Sequence, residues 1–366
     1  MFVSKAYPSN YIQEQGVLHQ TGDWVKKYGK HPLIIAGRTA WAKAGVPIER
    51  SLRENGLDYQ LEYFEGHCSD QELERLLRLA DSKVDLVLGV GGGQCLDTAK
   101  LVANRLGLSV INVSTLASTC AASSALSIIY TPEHVFERME EFDRSPVLAL
   151  VDPDIIREAP QRYLTAGIGD TIVKWYEANP LNIGKDQNAR TKAGLKMAEL
   201  IRDLLFDHSE TAIHDCERGV TGEALRQVID CNVFLAGLVG GLGRDTCASS
   251  GAHAIHYGMT VIPGVKGAYH GELVAYGLLC QFKLEGKTDE EISQMMKFYQ
   301  KINLPITLFD LGMTEVNETQ VHQAAVKACA PDQAIHNLPF PIKIEDVAFA
   351  IKYVHSLGES IKQAVV

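Results

Sequence analysis

Three histidines fall within an eighteen-residue stretch: His253 and His256 in AHAIHYG, and His270 in YHGE. Residues three apart share a helix face, so His253 and His256 can point into one pocket. Two imidazoles with one carboxylate suit a catalytic zinc, because three protein ligands leave a coordination position for water or a substrate oxygen. Asp170, in AGIGDTIVKWYE, offers such a carboxylate. It reads equally well as the N-cap of a helix that continues as TIVKWYE, the commonest task of Asp in that place. The surrounding stretch 244–271 is rich in Gly, Ser and His, and reads as helix ends and loops around a site.

A second chemistry is suggested by VLGVGGG, which puts Gly91, Gly92 and Gly93 after an apolar run and before a helical pattern. Backbone without Cβ can approach a pyrophosphate closely, and the N–H groups at a helix start bind its charge. Counted from Gly89, the usual dinucleotide fingerprint requires glycine where Gln94 stands, so that pattern is broken and a tight turn stays open as the alternative. Asp97 and Lys100 follow on the helix, either as a solvated i, i+3 pair or as part of the site. The later loop Ser114–Thr119 (STLAST) can hydrogen-bond phosphate or ribose through its hydroxyls; it is also an ordinary Ser/Thr-rich turn.

These segments sit in two kinds of chain. Up to about residue 150, short apolar runs at Pro32–Ala36, 61–64, 85–90 and 109–113 alternate with amphipathic stretches at 69–80, with Ser69 as N-cap, and at 96–105. Such alternation implies a mainly parallel sheet covered by helices. Beyond Asp152-Pro153 helical patterns dominate, at 189–205, 221–238, 290–301 and 344–357. The expected division is a nucleotide-binding α/β domain over 1–158 and a helical metal-binding domain over 159–366.

Composition narrows the partners. The 366 residues suffice for two or three domains at roughly 100–200 residues each. The net charge of −10, with no dense Lys/Arg run, argues against nucleic acid and against an anionic membrane as main partners. Eight scattered cysteines without a CxxC read as reduced thiols of a cytoplasmic protein. No signal peptide and no apolar run of about eighteen residues is evident.

Taken in order, GVGGGQCLDTAK, STLASTCAASSALSIIY, AGIGDTIVKWYE, AHAIHYG and YHGE resemble the glycerol dehydrogenase branch of the iron-containing alcohol dehydrogenase superfamily, through nearly the whole chain. The resemblance implies a Rossmann-like N-terminal domain, an all-helical C-terminal domain (a dehydroquinate synthase-like architecture), and an active site in the cleft between them. It assigns the metal ligands to Asp170, His253 and His270, and the histidine beside substrate and nicotinamide, a proton relay or positioning group, to His256. It places the cofactor on Gly91, Gly92, Gly93, Gln94, Cys95, Leu96 and Asp97, on Thr115, Leu116, Ala117 and Ser118, and, at the nicotinamide end, on Ser124, Leu126 and Tyr130. Iron-type members carry a second histidine one turn after the aspartate; Lys174 stands there, so the site resembles the three-ligand zinc type, with another divalent metal as the alternative. Relatives commonly form homo-oligomers.

Two positions depart from the glycerol dehydrogenase pattern. Where those enzymes have an acid after the first strand to hold the adenosine ribose, this chain has Gly37-Arg38. Losing the acid removes repulsion of a 2′-phosphate, and a guanidinium binds that phosphate bidentately, so NADP(H) is expected, with NAD as the alternative. Where they have an aspartate on the polyol hydroxyls, this chain has Cys120, a neutral and weak hydrogen-bond partner that either contacts substrate or simply packs. Both departures resemble the hydroxycarboxylate dehydrogenase subgroup. The expected reaction is hydride exchange between nicotinamide and a small 2-oxo or 2-hydroxy acid, with glycerol oxidation by NAD as the alternative. The sugar-phosphate synthases of the same superfamily need several cations at the site, and only Lys174, Arg244 and Lys266 lie near the metal motifs. A catalytically silent metal- or nucleotide-binding protein is the remaining reading.

Overall fold

The computed structural model describes residues 4–131 and 135–364 and divides into two compact units. The first comprises residues 1–164 with the returning segment 214–241; the second comprises 165–213 and 242–366.

The first unit is built on a six-stranded sheet. Its strands are β1 (Tyr11–Gln13), β2 (Pro32–Ala36), β3 (Gln60–Tyr63), β4 (Leu86–Gly91), β5 (Ser109–Ser114) and β8 (Leu148–Val151), in the order β1-β8-β5-β4-β2-β3. Every pairing is parallel. Between β5 and β8 the chain forms an antiparallel ribbon of β6 (Leu126–Tyr130) and β7 (Phe136–Glu141). Successive side chains of a strand point to opposite faces. Accordingly Leu33, Ile35 and Val87 join Leu73, Leu76 and Val102 on one side, while Ile34, Leu86 and Leu88 join Ile48 and Leu52 on the other. The inner strands β2, β4 and β8 are apolar and buried along their whole length because both faces are covered, whereas the edge strands β1 and β3 are half-buried and carry Gln and Glu.

Strand order reverses between β2 and β4: β3 lies outside β2, whereas β5 and β8 continue on the far side of β4. The carboxyl ends of β2 and β4 therefore flank a topological switch point, where open α/β sheets bind ligands. Gly37 leaves β2 there and Gly91 ends β4, tied by a Gly37 N–H to Val90 carbonyl hydrogen bond of 3.1 Å.

The second unit is helical among its described residues. Gly251–Met259 packs against His270–Leu284 and Glu318–Ala328, and Ile344–Ala364 packs against the last two. One expectation fails here. Asp170 does not open a helix; it lies in the middle of Gln161–Ala178. Gly169 just before it does not start that helix but thins it. A Cβ on Gly169 would lie 2.5 Å from the Gly271 carbonyl, and one on Gly271 1.7 Å from the Ala166 carbonyl. Two missing side chains let the helix of Asp170 cross the first turn of the helix that His270 begins.

The 221–238 helix also differs from expectation. It runs as Glu223–Ile229, loosens into a π-turn over Asp230–Leu235, and resumes as Ala236–Gly243. The stretch Glu223–Cys247 is long and apolar enough to cross a membrane by length and composition, and more than half of its apolar window is buried in the protein. The eight cysteines form no disulfide among the described residues.

Candidate metal centre and nucleotide loops

In the second unit Asp170, His253 and His270 present one ligand atom each, all within 4.8 Å of one another. Asp170 Oδ1 lies 3.4 Å from His253 Nε2 and 3.3 Å from His270 Nε2. Ligand bonds of about 2.0–2.1 Å around a tetrahedral ion give edges of about 3.3–3.4 Å, so these separations fit a zinc-sized divalent cation. Asp170 Oδ1 is buried and has no hydrogen-bond partner among the described residues, as expected of an atom reserved for a metal.

Neighbouring groups orient the two imidazoles. Glu177 stands two helical turns after Asp170 and is almost fully buried. Its Oε2 lies 2.7 Å from His253 Nδ1, and its Oε1 accepts the N–H groups of Ser250 (2.8 Å) and His253 (3.0 Å). A carboxylate on Nδ1 fixes the imidazole tautomer with Nε2 as the ligand atom. His256 Nε2 lies 3.2 Å from His270 Nδ1 and does the same for His270. The sequence argument missed Glu177, although its spacing of seven from Asp170 already put both on one helix face.

Burial raises the Asp170 carboxyl, yet Lys174, His270 and His253 together hold it well below the ordinary range. Burial would lower His253; the charge of Glu177, the nearby Asp170 carboxylate and the hydrogen bond to Glu177 push it up to about 9. His256 is driven well below its ordinary value by burial and then by His270 and His253, so it stays neutral. A neutral His256 can accept from His270 Nδ1, which places it behind a ligand as well as near the site.

In the first unit Gly92 caps the helix Gly93–Leu106, whose first-turn N–H groups have no intrahelical acceptor. The loop after β5 lies against this turn: a Cβ on Gly92 would come within 2.7 Å of Leu116 Cδ1. Thr115 N–H donates to the Gly91 carbonyl at 3.1 Å, joining the two loops. Gln94 is half-buried; the side chains of Cys95, Leu96 and Asp97 turn inward, leaving mainly their backbone to a ligand.

The solvated-pair reading of Asp97 and Lys100 is overturned. Their side chains are 9% and 1% exposed and 2.8 Å apart. Burial raises the Asp97 carboxyl against the pull of Lys100, and its Oδ2 accepts the Ile128 N–H at 3.1 Å. Lys100 Nζ in turn donates to the Ser124 carbonyl (3.2 Å) and hydroxyl (3.3 Å) and to the Leu126 carbonyl. The pair thus staples the segment of Ser124 and Leu126, with half-buried Tyr130 closing the same strand, to the glycine-turn helix. Half-buried Cys120 sits before it, its carbonyl taking the N–H groups of Ser123 and Ser124 at 3.0 Å each.

Arg38 opens the helix after β2. Its guanidinium stacks on the Tyr63 ring at 4.4 Å and donates to Glu65 at 3.1 Å. An acid therefore does reach the end of β2, but from the loop after β3, where linear spacing could not show it.

The chain is similar to known proteins along nearly its whole length. The glycerol dehydrogenase of Pseudomonas putida is 35% identical over 360 residues, spanning 96% of this chain and 97% of that one. The chain belongs to the iron-containing alcohol dehydrogenase family. The profile of that family, described as iron-containing alcohol dehydrogenase, matches residues 8–153. Hydroxycarboxylate dehydrogenase A of Escherichia coli is 36% identical over 351 residues, covering 95% of this chain and 96% of that one. The crystal structure of glycerol dehydrogenase from Schizosaccharomyces pombe superposes with a TM-score of 0.91 at 32% identity, covering 100% of this chain and 94% of that one. The α/β plus all-α fold class is that of these family members. Like them, the protein is a metal-dependent oxidoreductase acting on CH–OH groups with NAD(P).

Proposed function

We propose that this protein interconverts 2-oxo acids and 2-hydroxy acids, using NADP(H) and a zinc ion held by Asp170, His253 and His270. The observation that carries the reading is the charge carried by one helix face: Asp170, Lys174 and Glu177 at spacings of four and three. Asp170 and Glu177 together balance a divalent cation, and Lys174 between them makes the same helix face attractive to an anion. A carboxylate beside the reacting carbon gains from that charge more than a neutral polyol does. Cys120 supports the same reading, since a neutral thiol does not repel an acid.

A bound zinc ion acts as a Lewis acid on the substrate oxygen. The residues do the rest. Glu177 and His256 hold the two imidazoles in their ligating tautomers, and Asp170 supplies the anionic ligand. His256 is the proton relay or positioning group beside the substrate. Gly91, Gly92 and Gly93 with Thr115, Leu116, Ala117 and Ser118 receive the dinucleotide, Ser124, Leu126 and Tyr130 its nicotinamide end, and Arg38 the 2′-phosphate, exchanging Glu65 for it. A nicotinamide held there would supply or take up the hydride exchanged with the carbinol carbon of the substrate.

A second reading, NAD with glycerol, draws on Glu65, whose carboxylate stands beside Arg38 and can accept from ribose hydroxyls. A steady-state panel of 2-oxo acids, 2-hydroxy acids, glycerol and other vicinal diols, run with both cofactors, separates the two. Turnover of 2-oxo acids with NADPH supports the first; turnover of glycerol with NAD and of no 2-oxo acid replaces it with the second.

A further inference from the structure

A π-turn loosens the regular helical ladder, and such turns gather at functional sites. The turn Asp230–Leu235 reaches the loops of the first unit twice. Asn232, fully buried, donates through Nδ2 to the Ala117 carbonyl at 2.9 Å and to the Leu164 carbonyl at 3.4 Å. The next carbonyl, of Val233, accepts the Ser123 hydroxyl at 2.5 Å. The turn itself is held from behind: Asp230 accepts from Tyr11 at 2.7 Å, and the Phe234 ring stacks on Tyr11 at 4.5 Å. Asn232 Oδ1 is buried without a partner among the described residues. A buried amide with an unmet acceptor costs stability that an aliphatic side chain would not, so folding alone does not account for it.

We infer that Asn232 is a positioning residue for the dinucleotide, acting through the Ala117–Ser118 peptide. The inference rests on the reading that the loop of Thr115, Leu116, Ala117 and Ser118 receives the cofactor. In a trans peptide the carbonyl and the following N–H point in opposite directions. Pinning the Ala117 carbonyl to the π-turn therefore turns the Ser118 N–H away from it, as a donor for a phosphate or ribose oxygen. Ala117 is buried and Ser118 half-buried, in keeping with one end of this peptide anchored and the other presented.

The test titrates zinc-loaded Asn232→Leu with NADPH and NADH, following cofactor fluorescence, alongside steady-state kinetics and thermal melting. The dissociation constant should rise about tenfold, the worth of one buried hydrogen bond, and the cofactor KM should rise far more than kcat falls. Asn182, an equally buried amide tied to the Ala178 and Thr246 carbonyls, serves as control: Asn182→Leu should lower the melting temperature without moving the cofactor constant. Should Asn232→Leu fail to fold, Ser123→Ala, which removes only a hydroxyl, should raise the constant about threefold. A folded variant with unchanged cofactor affinity and only a lower melting temperature overturns the inference. Failure of the unaltered protein to bind either nucleotide instead removes the cofactor reading beneath it.

Discussion

Glu177 Oε2 lies 2.7 Å from His253 Nδ1, and the same carboxylate takes the backbone N–H of His253 at 3.0 Å. One buried acid thus fixes both the ring and the main chain of His253. Glu177→Gln keeps the shape but removes the charge that orients the imidazole. Zinc affinity, measured by competition with a chromophoric chelator, should fall about 10–100-fold. Unchanged affinity would show that His253 is oriented without it.

Lys174 follows Asp170 by one helical turn and helps hold its carboxyl low. If it meets a substrate carboxylate, Lys174→Met should lower the ratio of kcat/KM for a 2-oxo acid to that for an uncharged aldehyde by about tenfold or more, the worth of a charge-assisted hydrogen bond. An equal loss on both substrates, accompanied by loss of zinc, would make Lys174 a counter-ion of Asp170 alone.

Arg38 donates to Glu65 at 3.1 Å, and both side chains are more than half exposed. The cofactor choice depends on which anion the guanidinium prefers. Arg38→Ala should lower kcat/KM with NADPH about tenfold and leave NADH nearly unaffected, and Glu65→Gln should shift the ratio toward NADPH. A strong preference of the unaltered protein for NADH would remove the 2′-phosphate assignment.

His355, mostly buried on Ile344–Ala364, accepts the Leu308 N–H through Nδ1 at 3.3 Å. Burial lowers its proton affinity below the ordinary value. The folded protein therefore favours the neutral ring, and the resulting stability is present above the unfolded value of about 6.5 and lost as pH falls through the folded value. Between pH 7.5 and 5.5 the melting temperature of the unaltered protein should fall more steeply than that of His355→Asn, which retains an acceptor without titrating. Parallel curves would exclude the effect.

What the sequence made legible followed from periodicity and local order. The apolar runs of β2, β4 and β5 mark themselves, and Ser69 accepts the Glu72 N–H at 3.3 Å as an N-cap does. Asp170, His253 and His270 were identified by motif, and the chain does bring them together. The features that remained hidden depend on long-range approach. A capping role stayed open for Asp170 because a helix seemed to begin there; Gly169 before it, together with the distant Gly271, instead lets two helices touch. A solvated i, i+3 pair stayed open for Asp97 and Lys100, since nothing nearby in the chain shows that β6 covers them. Glu65 reaches Arg38 only because β3 pairs with β2.

The most direct measurement loads metal-free protein with zinc in steps and records, at each step, bound zinc and NADPH oxidation by a 2-oxo acid, for the unaltered chain and for Asp170→Ala. Activity should rise to a plateau at about one zinc per chain, and Asp170→Ala should bind zinc weakly and turn over little while still binding the nucleotide. Full activity in the presence of a strong chelator, or near-normal zinc content and turnover in Asp170→Ala, would contradict the account.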